Sequence, residues 1–448
     1  MLYITDIQTN IKFPGSVCLS ELTPHIFLSG PNGSGKTALL NAVELALIGE
    51  VRDVGGRDRA KSSTLLADLL HPSEETLFAV VSLNDGRKAT WVMERGKRPV
   101  HTPLDGNVHF LMPEVMNALK GSKAVTARFL IKYFGADVGF DEINYGAFAD
   151  LQIGTSKRRA TFAPHERLLA IEEASRKAAT AHTTEARALK VALEKLGGTS
   201  EKFAEHSEKV VIANAIKQLL TFQVANDLDT CGVCGTPDIP LTLLGGRLAQ
   251  VQQLLNSLGG GDTSDKIRIL QTAYEEASTQ AASCKAISTN CMEAMYKLVA
   301  KLTPRILLNI SECLPLDYEE AGLRISKSTI AIGLQDKDTE FMRTHISGAE
   351  FVTLCAAIGA AIAKLLPVRD LAVLTLPDRA LDLSHLKGLL VSLKAIPAVT
   401  IIQSPFQPRG RPAAGWTRIL LDNDGTLAVH GAAVKGISSG TGCIYLNT

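Results

Sequence analysis

The stretch Gly30-Pro31-Asn32-Gly33-Ser34-Gly35-Lys36-Thr37 sets glycines around a short polar turn and ends on Lys-Thr. That spacing belongs to a loop whose backbone N–H groups and following helix wrap a polyphosphate. Asn32, Gly33, Ser34 and Gly35 would line the cradle, Lys36 would reach the β- and γ-phosphates, and the Thr37 hydroxyl would coordinate Mg²⁺. The flanks agree. An apolar run, His25 to Ser29, reads as the incoming strand, and Ala38 to Ile48 reads as a helix with Leu39, Val43 and Leu47 on one face. Nucleotide binding is the first functional expectation.

Residues 2 to 29 alternate apolar and polar, as a small sheet leading into the loop would. Downstream, Thr76 to Leu83 and Lys88 to Glu94 flank Asn84-Asp85-Gly86, which predicts a hairpin. Pro113 to Lys120 and Lys123 to Phe134 read as helices, the second with Ser122 as N-cap and Gly135 just past its end. A first lobe over residues 1–162 is expected.

From Pro164 the texture changes to Ala, Glu, Lys and Leu with helical periodicity. Ile267, Leu270, Tyr274, Ala277, Ala281, Cys284, Ser288, Cys291, Met295, Leu298 and Leu302 alternate spacings of three and four, the seam of a coiled coil. Cys284 and Cys291 therefore read as core residues. The outgoing side is looser, with Leu189, Leu193 and Leu196 keeping the spacing. Cys231-Gly-Val-Cys234 sits midway through the insert, where two antiparallel helices would turn. Gly197-Gly198 and Gly259-Gly260-Gly261 interrupt the arms, whose reach is at most roughly 100 Å at the helical rise. The expected arm is 163–302.

A second lobe, 303–448, alternates strands and helices. It holds strand-like residues from Leu323 to Leu334, then His345-Ile-Ser-Gly-Ala-Glu350, an apolar helix from Phe351 to Leu366 and a strand from Leu371 to Leu376. A helix near Ser384 to Ile396, a strand from Val399 to Gln403 and a hairpin turning at Asn423-Asp424-Gly425 follow.

The 448 residues are 46% hydrophobic and 21% charged, with a net charge of +1. No global field draws such a chain onto nucleic acid, so any contact there must use local patches. Arg95, Lys97 and Arg98, and Lys157, Arg158 and Arg159, are the candidate clusters. The first thirty residues lack a leader pattern, and the apolar run from Phe351 to Ala363 is too short to span a bilayer. A cytoplasmic protein without a membrane partner is expected. Eight scattered cysteines are too few for a disulfide framework.

A phosphate loop near the N-terminus, a helical hairpin in the middle and Ser347-Gly348-Ala349-Glu350 near the C-terminus resemble the ABC-type ATPases of the SMC, RecF and SbcC families. The fold this implies is α/β: an ABC-type P-loop head built from both lobes and interrupted by an antiparallel coiled-coil hairpin. In that family the serine signature of one head closes over ATP held by the phosphate loop of another. The resemblance thus implies a homodimer with Ser347, Gly348 and Glu350 at the shared nucleotide. Ala349 replaces a glycine of the family pattern. Cys231 and Cys234 resemble a zinc hook, half of a four-ligand Zn²⁺ site completed by a second protomer. A redox pair or a plain turn is the alternative.

The hydrolytic half departs from the family. Its strand after the signature helix ends in Asp-Glu, whereas Leu371 to Leu374 runs into Thr375 and Leu376, so neither acid stands in place. A register shift would offer Asp378 for the metal but leave Arg379 in the position of the base. Gln403 stands where the family usually has a γ-phosphate-sensing histidine. The resemblance implies ATP and Mg²⁺ as ligands, with DNA and a nuclease or recombination subunit as partners. Repair, recombination or DNA processing is the implied setting, and the short arm suggests a phage-encoded member. Weak or absent hydrolysis is expected, and a scaffold locked by nucleotide without DNA work is the alternative.

Overall fold

The computed structural model describes residues 1–12, 16–51, 69–72, 74–136, 138, 163–197, 263–315, 320–336, 342–376, 381, 383–405, 414–422 and 427–430. The chain divides into two compact units, Met1–Phe129 with Thr303–Thr448, and Leu130–Leu302.

The first unit begins with β1 (Ile4–Thr9), β2 (Val17–Leu19), β3 (His25–Ser29) and α1 (Lys36–Ile48). Then come β4 (Thr76–Leu83), β5 (Lys88–Glu94), β6 (Val100–Thr102), β7 (Val108–Phe110), α2 (Leu111–Lys120) and α3 (Lys123–Phe134), which runs into the second unit. Among the described residues the second unit carries α4 (Pro164–Gly197) and α5 (Thr263–Ser311), the latter returning to the first. The first unit continues with β8 (Glu320–Ile325), β9 (Ile330–Gln335), β10 (Met342–Arg343), α6 (Gly348–Leu365) and β11 (Leu371–Leu376). It closes with α7 (Leu383–Ser392), β12 (Val399–Ser404), β13 (Trp416–Leu421) and β14 (Leu427–His430).

Among the described residues the first unit carries three sheets, ordered β2-β1-β4-β5-β6, β10-β9-β8 and β14-β13-β3-β12-β11-β7. The first is antiparallel, and its β4–β5 hairpin turns at Asn84-Asp85-Gly86 with Gly86 at φ 87°. In the third, β13, β3, β12, β11 and β7 run parallel and β14 returns antiparallel from β13. The expected turn residues of that last hairpin, 423–425, lie outside the described residues.

Helix α1 is inserted between the antiparallel sheet and the parallel one. Ile7, Leu77, Val81 and Trp91 from one side and Ile26, Leu28, Val399, Ile401 and Ile419 from the other form a single core with Leu39, Val43 and Leu47. Because both sides of the helix are covered, it is apolar nearly all round, which is the composition of a buried rather than a surface helix. The other face of the parallel sheet is covered by α2 and α6. Gly359 of α6 lies so close to β11 that a Cβ there would meet Leu374 Cδ2 at 2.5 Å. A strand covered on both faces reads as a continuous apolar run, and all six residues of β11 are buried. By length and composition α6 could cross a bilayer, yet 67% of it is buried inside the protein.

In the second unit, burial along α5 follows the three-and-four spacing. Leu270, Ala277, Cys291, Met295, Leu298 and Leu302 are buried, while Glu275, Glu276, Lys285 and Lys297 are exposed. Leu168, Ile171 and Glu172 are buried on α4, and the Ser288 hydroxyl approaches Glu172 Oε1 at 3.4 Å. Burial, and then Glu172 nearby, push the Cys291 thiol up to about 12. The region between the two helices lies outside the described residues, and with it Cys231, Cys234 and the glycine runs at 197–198 and 259–261, apart from Gly197 as the last residue of α4. Pro304 stands inside α5 near the boundary between the units, where it removes one backbone hydrogen bond.

Candidate nucleotide site

Strand β3 delivers the chain into the loop at Gly30, whose backbone N–H donates to Ser404 O at the end of β12. Two independent constraints select glycine there. Its φ is +155°, and a Cβ would meet the Leu421 carbonyl oxygen at 2.1 Å, at the end of the neighbouring parallel strand β13. Ser34 N donates to Pro31 O, closing the turn that carries Asn32 and Gly33, both exposed. Gly35, left-handed at φ 98°, opens α1 without a side-chain cap, and no acidic residue occupies the first turn of the helix. Within that first turn no side chain caps the helix, and its N–H groups and positive end are presented to the loop.

Lys36 is buried, and its ammonium donates to Gly30 O at 2.7 Å and Pro31 O at 2.9 Å. The Ser34 hydroxyl is buried without a hydrogen-bond partner among the described residues. Thr37 is exposed on the first turn of α1. An inward cation, an unmet hydroxyl, a glycine too crowded for any side chain and uncapped helical N–H groups suit a polyphosphate.

Strand register brings further expected residues to this edge. Gln403 pairs with Leu28 and Ser404 with Ser29, while Thr375 and Leu376 stand beside Ile401 and Ile402. Side chains alternate along a strand, so Gln403 shares the α1 face with Ile401, and Thr375 shares it with Val373. Leu376 points, with Leu374, to the opposite face and is fully buried. The two positions expected to hold acids therefore carry a hydroxyl and an alkyl group. Asp378 and Arg379 lie outside the described residues, as do Lys157, Arg158, Arg159, Cys231 and Cys234. Among the described residues no group of three or more His, Cys, Asp or Glu is placed to hold a metal ion.

Ser347, Gly348 and Glu350 form a second group at the start of α6. Residues 366–370 join the end of α6 to the start of β11, so the helix runs back along the strand and its N-terminus points toward the sheet's carboxyl edge. Ser347 and Gly348 are exposed, and a Cβ on Gly348 would meet nothing within 4 Å. Ser347 caps the helix by accepting from Glu350 N at 3.2 Å, and Glu350 Oε2 accepts from Ser347 N at 2.7 Å. Arg343 Nη1, at the end of β10, donates to Glu350 Oε1 at 3.2 Å. The Ser347 backbone N–H first, and the Arg343 guanidinium after it, hold the Glu350 carboxyl below its ordinary range. Arg343 carried no motif of its own. The Ser-x-x-Glu spacing of a capping box accounts for the Glu350 carboxylate turning back on its own helix, but carries no signal for the arginine beside it.

In the first basic cluster, Arg95 pairs with Glu75 and donates to the carbonyls of Glu74 and Pro72, while Lys97 pairs with Glu94. Two of its three cations thus have carboxylate neighbours.

The AAA domain family profile matches residues 8–288, more than half of the chain. The chain belongs to the AAA domain family. The match takes in the phosphate loop and α1, where this member of the AAA domain family places Lys36 and Ser34 inward. No curated protein matches. Two solved structures of the recombination mediator protein RecF in the RecFOR pathway are similar at 11% identity. The RecF–ATP structure covers 96% of this chain and 98% of its own with a TM-score of 0.38. The RecF–ATPrS structure covers 94% and 98% with a TM-score of 0.40.

Proposed function

We propose that this chain is an ATP-binding head that self-associates around nucleotide and acts in DNA repair, recombination or DNA processing, with weak or absent hydrolysis. The observation that carries the reading is the loop at the end of β3, with its inward Lys36, its Ser34 hydroxyl unpartnered among the described residues and the start of α1 without a side-chain cap. Asn32 to Gly35 wrap the phosphates, Lys36 neutralises the β- and γ-oxygens, and Thr37 holds Mg²⁺. Gln403 offers an amide from the neighbouring strand. The exposed Ser347 and Gly348 serve the nucleotide of a second copy, supplying a hydroxyl, N–H groups and a positive helix end.

Slow turnover follows from the end of β11. Neither Thr375 nor Leu376 can accept a proton from an attacking water, and loss of general-base assistance costs about 10²- to 10⁴-fold. The DNA setting rests on the sequence resemblance and on the basic clusters at 95–98 and 157–159. A cytoplasmic location, a coiled-coil arm over 163–302 and a Zn²⁺ shared between the Cys231 and Cys234 pairs of two protomers complete the proposal.

Equilibrium binding of Mg-ATP, read beside phosphate release, tests it. Binding that Lys36→Ala removes, with slow release, is the expected result, and rapid release abolished by Lys36→Ala would reject the weak hydrolysis. The buried Leu376 favours a second reading, a scaffold in which nucleotide locks an assembly without DNA work. DNA affinity that rises with ATP supports the first reading, and DNA affinity that ignores ATP supports the second.

A further inference from the structure

We propose that Arg343 and Glu350 are positioning residues that hold Ser347 in its nucleotide-facing pose, and that the Glu350 carboxylate itself neither touches nucleotide nor accepts a proton. The proposal deepens the shared-nucleotide reading and rests on it.

Both carboxylate oxygens of Glu350 are engaged. Oε2 takes the Ser347 N–H and Oε1 takes the Arg343 guanidinium, so the side chain is folded onto its own helix. The Ser347 oxygen accepts from Glu350 N, which holds the serine side chain against the first turn of α6. The backbone of Arg343 is itself fixed. It pairs in register with Leu334 on β9, and its carbonyl approaches Gly333 so closely that a Cβ there would meet it at 2.1 Å. The small sheet β8-β9-β10 therefore acts through one guanidinium on one carboxylate, and through that carboxylate on one serine. A carboxylate with both oxygens taken is also a poor substitute for the base that β11 lacks.

The experiment compares wild type with Arg343→Ala, Arg343→Lys, Glu350→Gln, Ser347→Arg and the Arg343→Ala/Glu350→Gln double variant. Nucleotide-dependent self-association and Mg-ATP binding by the separated chain are both measured. Arg343→Ala is expected to weaken self-association about three- to tenfold, the range of a lost cap contact, while binding by the separated chain stays at the wild-type value. Arg343→Lys restores part of the loss, and the double variant is no worse than the poorer single one, because both changes break one linkage. Hydrogen exchange at residues 347–351 speeds up in the same variants. Self-association unchanged by Arg343→Ala, in a protein where Ser347→Arg abolishes it, overturns the positioning role alone. Self-association that does not respond to nucleotide in wild type overturns the shared-nucleotide reading, and the positioning role with it.

Discussion

Gly30 and Gly348 are both glycines of candidate binding segments, but for different reasons. At Gly30 the backbone is strained for any other residue and the Leu421 carbonyl excludes a side chain, so Gly30→Ala is expected to destabilise the protein by more than about 1 kcal/mol in thermal unfolding. At Gly348 nothing in the fold objects to a methyl group. Gly348→Ala is expected to leave the melting temperature unchanged or raise stability by about 0.4–1 kcal/mol. The same variant is expected to weaken nucleotide-dependent self-association, since only an approaching second molecule needs the space. Association as tight as wild type would show that Gly348 meets no partner. The phosphate-loop glycines were legible in the sequence because they belong to a spaced motif. The reason for Gly30 was not, because its neighbouring strand β13 lies nearly four hundred residues downstream.

At the scale of elements, the capping box makes α6 sensitive to acid. The Glu350 carboxyl is held below its ordinary 4.5, so its contribution is fully present above that value and disappears as pH falls through the lowered one. Protection of the Ser347 amide, which donates to that carboxylate, taken relative to its intrinsic exchange rate and followed downward from neutral pH, is expected to fall there and not above pH 4.5. The thiols separate by burial. Cys355 in α6 and Cys291 in α5 are pushed up to about 12, chiefly by burial, and are expected to resist alkylation at neutral pH, whereas the partly exposed Cys18 reacts. Mass spectrometry after iodoacetamide treatment reads the difference. Long elements were legible: the hairpin strands β4 and β5, the loop strand β3 and the apolar strand β11 all announce themselves by alternation or by unbroken apolar runs. Short β6, β7 and β10 have two or three residues each, too few for a period, and β7 joins the parallel sheet only through Leu371 and its neighbours far along the chain.

On the scale of the whole molecule, the parallel sheet gathers segments from both ends of the chain to one edge, so that β12 and β13 from the C-terminal part flank β3 from the N-terminal part. The sequence motif located the phosphate loop, but only strand pairing shows Gln403 and Thr375 on the face of α1. What the edge lacks is a carboxylate in the positions of Thr375 and Leu376, and that shifts the expected role of nucleotide from fuel toward clamp. Sedimentation velocity with and without Mg-ATP tests this most directly. A dimer formed by wild type only with nucleotide, and by neither Lys36→Ala nor Ser347→Arg, is the predicted result. Wild-type chains that sediment identically with and without saturating Mg-ATP would contradict it.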